Sequence, residues 1–431
     1  MNRRKFLLSG VTVTSLTAGC TATDDSENES TDVETELGGT EALTATEPEP
    51  AFDSFVDTDG TEFVVDGETV YFNGTNNFWV SNATADRRRV DDCMQLFEDM
   101  GIDLVRTWAH CEAKAGRCLQ PEPGVHNENA LGHLDYILSS ARDHGIRLVL
   151  ALVDNWEHEG GIPQYVEWVD GAENRGDFYT MDETRDLYRN HVETILTREN
   201  SITGLEYRED PTIALWELAN EPRCERGDVD EGVDHAQVFH DWIADMSAYV
   251  KDLDDNHLVS SGVEGFYTRG DDGWYYSDWT GQDYVENNRI ETIDACTFHM
   301  YPDHWGAEFT YEHGSEWIRE HVEDAHREIG KPAYLGEFNV QIDRSADTDL
   351  EAQLEERNAH LSAWYETADE VDANAVLPWQ VVLDETSDHD GFQLYRDESG
   401  HIVEAYAETV AAKRDRWSNR WLRPTLRRVS R

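Results

Sequence analysis

Positive charge is what this 431-residue chain has least of. Lys and Arg number 35 against 90 Asp and Glu, for a formal net charge of -55, and most of the cations are arginine. So anionic a chain repels phosphate backbones, which excludes nucleic-acid binding as its business. Long apolar runs are also missing: beyond the first twenty residues no stretch is long and apolar enough to span a bilayer. Cysteine is sparse, six in all, and shows neither a Cys-x-x-Cys pair nor a His/Cys ligand spacing, so the sequence offers no basis for a zinc site. The acidic residues form no ligand-spaced loop, and neither a metal nor another cofactor is called for.

What is present suffices for one barrel-sized domain, with 39% of residues hydrophobic and 10% aromatic. The acidic excess runs along the whole chain. At that density carboxylates repel one another unless salt screens them, which points to high-salt surroundings and a haloarchaeal source; the other reading is an ordinary acidic secreted enzyme. Residues 1–20 resemble a twin-arginine lipoprotein signal. Arg3-Arg4-Lys5 opens it, a weakly apolar stretch follows, and small residues precede Cys20, the lipidation site, with Thr17 where leucine is usual. The expectation is export and a lipid anchor on the outer face of the membrane, the only membrane contact.

Residues 21–55, rich in Thr, Asp, Glu and Ser, bury too little surface to fold and read as an acidic disordered tether. Residues 56–420 make the folded domain, and 421–431 a basic tail whose arginines pair with the acidic surface, the other reading being a membrane or polyanion contact. Of the remaining cysteines, Cys93, Cys111, Cys118, Cys224 and Cys296, an odd number, at least one stays unpaired within the chain. The spacing of Cys111 and Cys118 permits a disulfide without requiring one.

Apolar, β-branched runs at 70–78, 102–109, 146–153, 213–221, 258–266, 295–301, 332–340 and 375–381 predict eight strands. Helical patterns at 90–100, 133–144, 181–197, 236–253, 316–329 and 351–368 alternate with them, several closed by glycine. Strand-helix alternation with eight strands predicts an α/β fold, a single (β/α)8 barrel. Short joins lead from helix to strand and long insertions follow the third and fourth strands, so a site belongs at the strands' carboxyl end.

Two of those strands end in carboxylates: Ile-Ala-Leu-Trp runs into Asn220-Glu221-Pro222, and Tyr-Leu-Gly runs into Glu337. Paired carboxylates facing each other across one mouth are the equipment of glycoside hydrolysis. Proline is expected to stop the first of these strands. Arg106 sits inside an apolar strand, from which a guanidinium can make two hydrogen bonds to Glu337 and keep it ionised. His299 and Tyr301, two apart, share a strand face; Tyr301 would hold the nucleophile, and His299 would contact either substrate or the acid/base. Asn220 is suited to bond a sugar 2-hydroxyl, or else to satisfy loop backbone. Trp379 is the foremost platform for stacking a sugar face, followed by Trp79, Trp156 and Trp305.

Asn220-Glu221-Pro222, Glu337 in Leu-Gly-Glu-Phe-Asn, Arg106 in Val-Arg-Thr-Trp-Ala, His299-Met300-Tyr301-Pro302 and Trp379 in Leu-Pro-Trp-Gln together resemble glycoside hydrolase family 5 over roughly residues 63–385. Residues 72–79, Gly161-Ile162-Pro163-Gln164-Tyr165, Asp177-Phe178-Tyr179-Thr180 and Asn220-Glu221-Pro222-Arg223 are similar to its endo-β-1,4-mannanase branch. The resemblance implies that Glu221 is acid/base and Glu337 nucleophile, an order the residue types alone leave open. It also implies that Arg223 reaches a sugar on the leaving-group side. His158-Glu159 departs from the Asp residues the family carries before Gly160-Gly161. The implied protein is a retaining endo-β-1,4-mannanase acting on mannan, glucomannan or galactomannan; separately, a monomer is expected. Its rivals are an endo-β-1,4-glucanase with the same residues and a non-catalytic polysaccharide-binding surface protein.

Overall fold

The computed structural model describes residues 52–81, 86–113, 117–270, 273–345 and 349–418. The signal segment, Cys20, the tether as far as residue 51 and the basic tail lie outside the described residues.

The chain first makes a small antiparallel meander, β1 (Asp57–Asp59), β2 (Glu62–Val65) and β3 (Glu68–Val70). Eight parallel strands follow: β4 (Phe72–Asn76), β5 (Leu104–Trp108), β6 (Arg147–Ala151), β7 (Ile213–Glu217), β8 (Leu258–Ser260), β9 (Cys296–Met300), β10 (Ala333–Phe338) and β11 (Ala375–Val376). The residues of these eight are buried throughout, as a strand walled by its barrel on one face and by helices on the other demands. Their ladder runs β8-β7-β6-β5-β4-β11-β10-β9. The ring closes through backbone bonds from Asp294 N–H to the Val259 carbonyl (2.8 Å) and from His299 N–H to the Glu264 carbonyl (3.0 Å). This is the expected (β/α)8 barrel.

The outer layer is α1 (Arg87–Asp99), α2 (Glu128–Asp143), α3 (Gly161–Trp168), α4 (Gly176–Thr180), α5 (Asp182–Leu196), α6 (His235–Leu253), α7 (Tyr284–Asn288), α8 (Tyr311–Asp324), α9 (Leu350–Glu370) and α10 (His401–Ser418). Several begin earlier than their apolar periodicity predicts, because a cap rather than a core residue sets the start. Asp86, Asn127 and Asp234 each accept a first-turn N–H at α1, α2 and α6. The predicted 316–329 helix begins at Tyr311, behind a Thr310–His313 capping box, and its last turn, Ala325–Ile329, widens to π geometry before Gly330. None of the described helices is long and apolar enough to cross a membrane.

Three expectations need correction, and one element is new. The folded body begins before residue 56: Phe52 lies 4.2 Å from the Arg147 guanidinium, the Ser54 carbonyl accepts from Arg147 Nη2 (2.9 Å), and Phe55 packs edge-on to His257. Buried β-strands are shorter than their apolar runs, most of all β8 and β11, because chain that leaves the ladder at the mouth remains in the core. Pro222 does not end β7, whose last ladder residue is Glu217. The polar meander β1–β3 carries no long apolar run and was not foreseen; it places Phe63 against Phe72 and closes the barrel floor. Cys111 and Cys118 form a disulfide, and Cys93, Cys224 and Cys296 are free and buried.

Candidate active site

The carboxyl ends of the barrel strands open into a cleft of about 1040 Å³. Glu337 lies within β10, at an irregularity in its pairing with β9, and Glu221 lies four residues past the end of β7. The Glu221 backbone is left-handed, φ 50°, a conformation that costs a side-chain-bearing residue about 1–2 kcal/mol and gathers at functional sites. Its N–H donates to the Gly262 carbonyl (2.8 Å). Gly262 itself has φ 75°, and a Cβ there would meet the Ala219 carbonyl at 1.7 Å, so only glycine allows the two strand ends this approach.

A carboxylate oxygen of Glu221, one of Glu337 and a ring nitrogen of His299 all lie within 4.8 Å of one another. Each glutamate has its own partners. Glu337 Oε1 accepts from Arg106 Nη1 (2.5 Å) and Oε2 from the Tyr301 hydroxyl (2.7 Å). Glu221 Oε1 is 2.9 Å from His299 Nδ1, and Oε2 accepts from Trp156 Nε1 (2.7 Å). His299 thus faces the Glu221 side of the site, one of the two positions expected for it.

Arg106 departs from the expected two-bond grip on Glu337. It gives Glu337 a single bond and spends the others on Glu217 Oε2 (Nε, 2.7 Å), Asn220 Oδ1 (Nη2, 2.7 Å) and Asn76 Oδ1 (Nη1, 3.1 Å). Glu217, completely buried, is held in turn by the Tyr334 hydroxyl (2.6 Å). Asn220 completes the row by donating to Asp154 (2.9 Å). Burial pushes the Asp154 carboxyl up to about 6, against the pull of His110 and that bond.

The electrostatics follow from these contacts. Burial opposes charge on Glu221, but the bond and charge of His299, then Arg223 and Trp156, overcome it and hold this carboxyl down at about 2. Burial likewise opposes charge on His299, and the fields of Glu337 and Glu221 outweigh it and raise the imidazole above its usual 6.5. For Glu337, burial and the neighbouring Glu221 charge push the carboxyl above its usual range, against the pull of His299, Arg106 and the Tyr301 hydroxyl. Burial and the adjacent Glu337 hold the Tyr301 phenol well above its usual range, so it remains an O–H donor.

Trp379 lines the cleft, stacked at 11° and 5.6 Å on Phe78 and 6.0 Å from Trp108. Trp156 and Trp305 line it as well. Trp79 does not: it turns behind Phe78 (4.5 Å) toward His389, and its neighbour presents the ring instead. Arg223 reaches the cleft wall with its guanidinium already committed to Glu264 and set 5.2 Å from the Trp156 ring. His158 and Glu159 line the same wall, Glu159 paired with Arg117 (2.6 Å). Residues not foreseen include Phe78, Trp108, Asp154, Glu264, Trp274 and Trp279. Two of these carried a signal: Trp108 shares a strand face with Arg106, and Asp154 follows β6 as Glu221 follows β7.

Residues 53–377 match the model of the GH family 5 beta-mannosidase-like family. A mannan endo-1,4-beta-mannosidase of Oryza sativa subsp. japonica is 38% identical over 304 residues, 66% of this chain and 68% of that one. A mannan endo-1,4-beta-mannosidase of Arabidopsis thaliana is 33% identical over 371 residues, 81% of this chain and 82% of its own. Among solved structures, the endo-1,4-beta-mannanase of Rhizomucor miehei superposes with a TM-score of 0.75 at 33% identity, covering 83% of this chain and all of that one.

Proposed function

The chain belongs to the GH family 5 beta-mannosidase-like enzymes, and from that premise we propose that it is an endo-β-1,4-mannanase which retains anomeric configuration. One observation carries the stereochemical part. The nearest oxygens of the two glutamates lie within 4.8 Å, which supports the roughly 5–5.5 Å carboxyl separation of retaining glycosidases over the 6.5–9.5 Å that inverting enzymes leave for water.

The partners of the two carboxylates support an order of roles. Arg106 and the Tyr301 hydroxyl both donate to Glu337 and, with His299, oppose the upward push of burial and of Glu221, which supports the carboxylate form a nucleophile needs. Glu221 faces His299, the one neighbour in bonding distance that both takes and gives a proton. In the resting site that proton rests on the imidazole. It passes across 2.9 Å to Glu221 as substrate displaces water, and Glu221 gives it to the glycosidic oxygen while Glu337 attacks the anomeric carbon. The bond to the leaving sugar breaks as the bond to Glu337 forms. Glu221, now a carboxylate, takes a proton from water, whose oxygen displaces Glu337 and completes the second inversion. Asn220, pinned between Arg106 and Asp154, is set to bond the sugar 2-hydroxyl, and Trp379 to stack its ring.

The setting in which this works is read from composition. A net charge of -55 supports an enzyme of high salt and a haloarchaeal source, and the twin-arginine-type start with Cys20 supports export and lipid anchoring outside the cell. The test is product analysis on mannan, glucomannan and soluble cellulose at low and near-saturating KCl, with the anomer first released followed by NMR. Short β-anomeric manno-oligosaccharides, made mainly at high salt, are the expected result. Cellulose cleavage without mannan cleavage would move the activity to the glucanase, and an α-anomer would remove the retaining mechanism.

A further inference from the structure

Val125, Ile202, Val233 and Trp279 are the exposed large hydrophobic side chains among the described residues, and of these Trp279, 42% exposed, lines the cleft. An exposed tryptophan is ordinarily free to move, but the 3-10 turn that carries this one, Asp278–Thr280, is tied to the segment that follows Glu221. Cys224 N–H donates to the Thr280 carbonyl (3.0 Å) and Arg226 N–H to the Trp279 carbonyl (3.2 Å). His235 Nε2 bonds the Asp278 carbonyl at 2.6 Å. Gly281 closes the turn at φ 78°, where a Cβ would meet the Cys224 carbonyl at 2.5 Å. The fold therefore fixes the backbone that carries a half-bare indole at the cleft.

Its place along the cleft follows from a chain of contacts leading out from Glu221. Trp156 bonds Glu221; the Arg223 guanidinium stands 5.2 Å from Trp156 and 6.0 Å from Trp274; Trp274 meets Trp279 edge-on at 5.6 Å. Trp274 is itself anchored through Nε1 to the Trp305 carbonyl (3.0 Å). Trp379 and Phe78 belong to the other side, next to Trp108, which stands 5.0 Å from the Arg106 guanidinium that grips Glu337. With Glu221 as acid, a role taken from the reading above, everything beyond Trp156 lies on the leaving-group side.

We infer that Trp279, backed by Trp274, is an outer leaving-group subsite that stacks a pyranose ring of the polysaccharide at least one sugar beyond the one bonded to the scissile oxygen. A pyranose laid on an indole gains apolar contact that a hydroxyl-lined wall cannot supply, and a rigid indole loses little entropy in making it. The subsite makes the enzyme prefer long chains, and it adds nothing to the chemical step.

The test compares wild type, Trp279→Ala and Trp279→Phe, with Ile202→Ala as an exposed control outside the cleft. On mannohexaose Trp279→Ala should raise KM about 3- to 10-fold with kcat unchanged. It should leave kcat/KM on the shortest cleaved oligosaccharide as in wild type, and shift cleavage toward the reducing end, read by mass spectrometry in ¹⁸O-labelled water. Trp279→Phe should restore most of the affinity and Ile202→Ala should match wild type. An unchanged KM and cleavage position in Trp279→Ala would overturn the subsite. Wild-type activity reports separately on the proposed function. In a Glu337→Gln background, the Kd of mannohexaose and cellohexaose with and without Trp279→Ala tests the subsite even where no cleavage occurs.

Discussion

At the floor of the barrel Val56, Phe63, Phe72 and Leu104 pack as a purely apolar layer, while at the mouth Arg106, Glu217, His299 and Glu337 are just as deeply buried and all ionisable. The floor gains stability from each side chain it hides, at roughly 25 cal/mol per Å² of apolar surface. The mouth gains little, because desolvating several charges costs about what their mutual attraction returns. The mouth also holds Glu221 in a left-handed conformation, a further cost with no packing return. One barrel thus keeps stability at one end and reactivity at the other, with Arg106 between them: its strand pairs on both sides within the ladder, and its guanidinium reaches Glu337.

The sharpest test removes charge from the mouth alone. Glu337→Gln keeps the shape and one acceptor oxygen, for Arg106, while its amide NH2 donates to the Tyr301 hydroxyl. Its kcat should fall on the order of 10⁴-fold or more, while the thermal midpoint holds or rises; a midpoint lowered in step with activity would mean that the mouth is also structural. Arg106→Met should break the separation. It leaves Glu217 and Glu337 buried without their common cation, so unfolding free energy should drop by about 3–5 kcal/mol, and activity should be lost in whatever fraction remains folded. Denaturant titration alongside active-site titration checks both halves, and a stable, active Arg106→Met protein would remove Arg106 from either role. Phe63→Ala reads the floor. A cavity there should cost about 3–5 kcal/mol with kcat/KM per folded molecule unchanged.

How much of this division was legible beforehand differs between the ends. Most strand cores were readable because a strand buried on both faces is largely apolar, β4 with its Asn-Gly-Thr-Asn being the exception, and the two glutamates stood out because each stands where such a run gives way to polar residues. The floor was not, since β1–β3 are three- and four-residue strands of Asp, Glu, Thr and Val with the single aromatic Phe63, whose pairing is fixed by contact with the barrel and not by any run of their own. Phe52 and Phe55 likewise looked like the end of a tether until Arg147 and His257 provided surfaces for them. At the mouth the error was one of direction. Phe78 and Trp79 are adjacent on one 3-10 turn, and composition cannot tell which of two neighbouring rings faces the cleft. Arg106 was rightly linked to Glu337, but its larger share of bonds goes to Glu217 and Asn220, residues in another strand and the loop after it.

The smallest expected effect lies in the His299–Glu221 pair, and it tests whether the mouth adds any stability at all. His299 has a folded pKa above its unfolded 6.5, so its contribution is fully present below pH 6.5 and is lost as pH climbs through the raised value. Glu221 has a folded pKa of about 2 against 4.5 unfolded, so its contribution is present above pH 4.5 and is lost as pH falls toward 2. The pair therefore stabilises most between pH 4.5 and 6.5. His299→Gln retains a donor toward Glu221 but no exchangeable charge. Its unfolding free energy should vary less with pH on both sides of that window, measured at constant high salt so that screening of the acidic surface stays fixed. The alkaline limb of kcat/KM should move to lower pH, because Glu221 must then hold its proton without an imidazolium to store it. An alkaline limb that stays in place would show that the imidazole only props the carboxylate, and the proton store would have to be sought elsewhere in the mouth, with Asp154 at about 6 the next group to test.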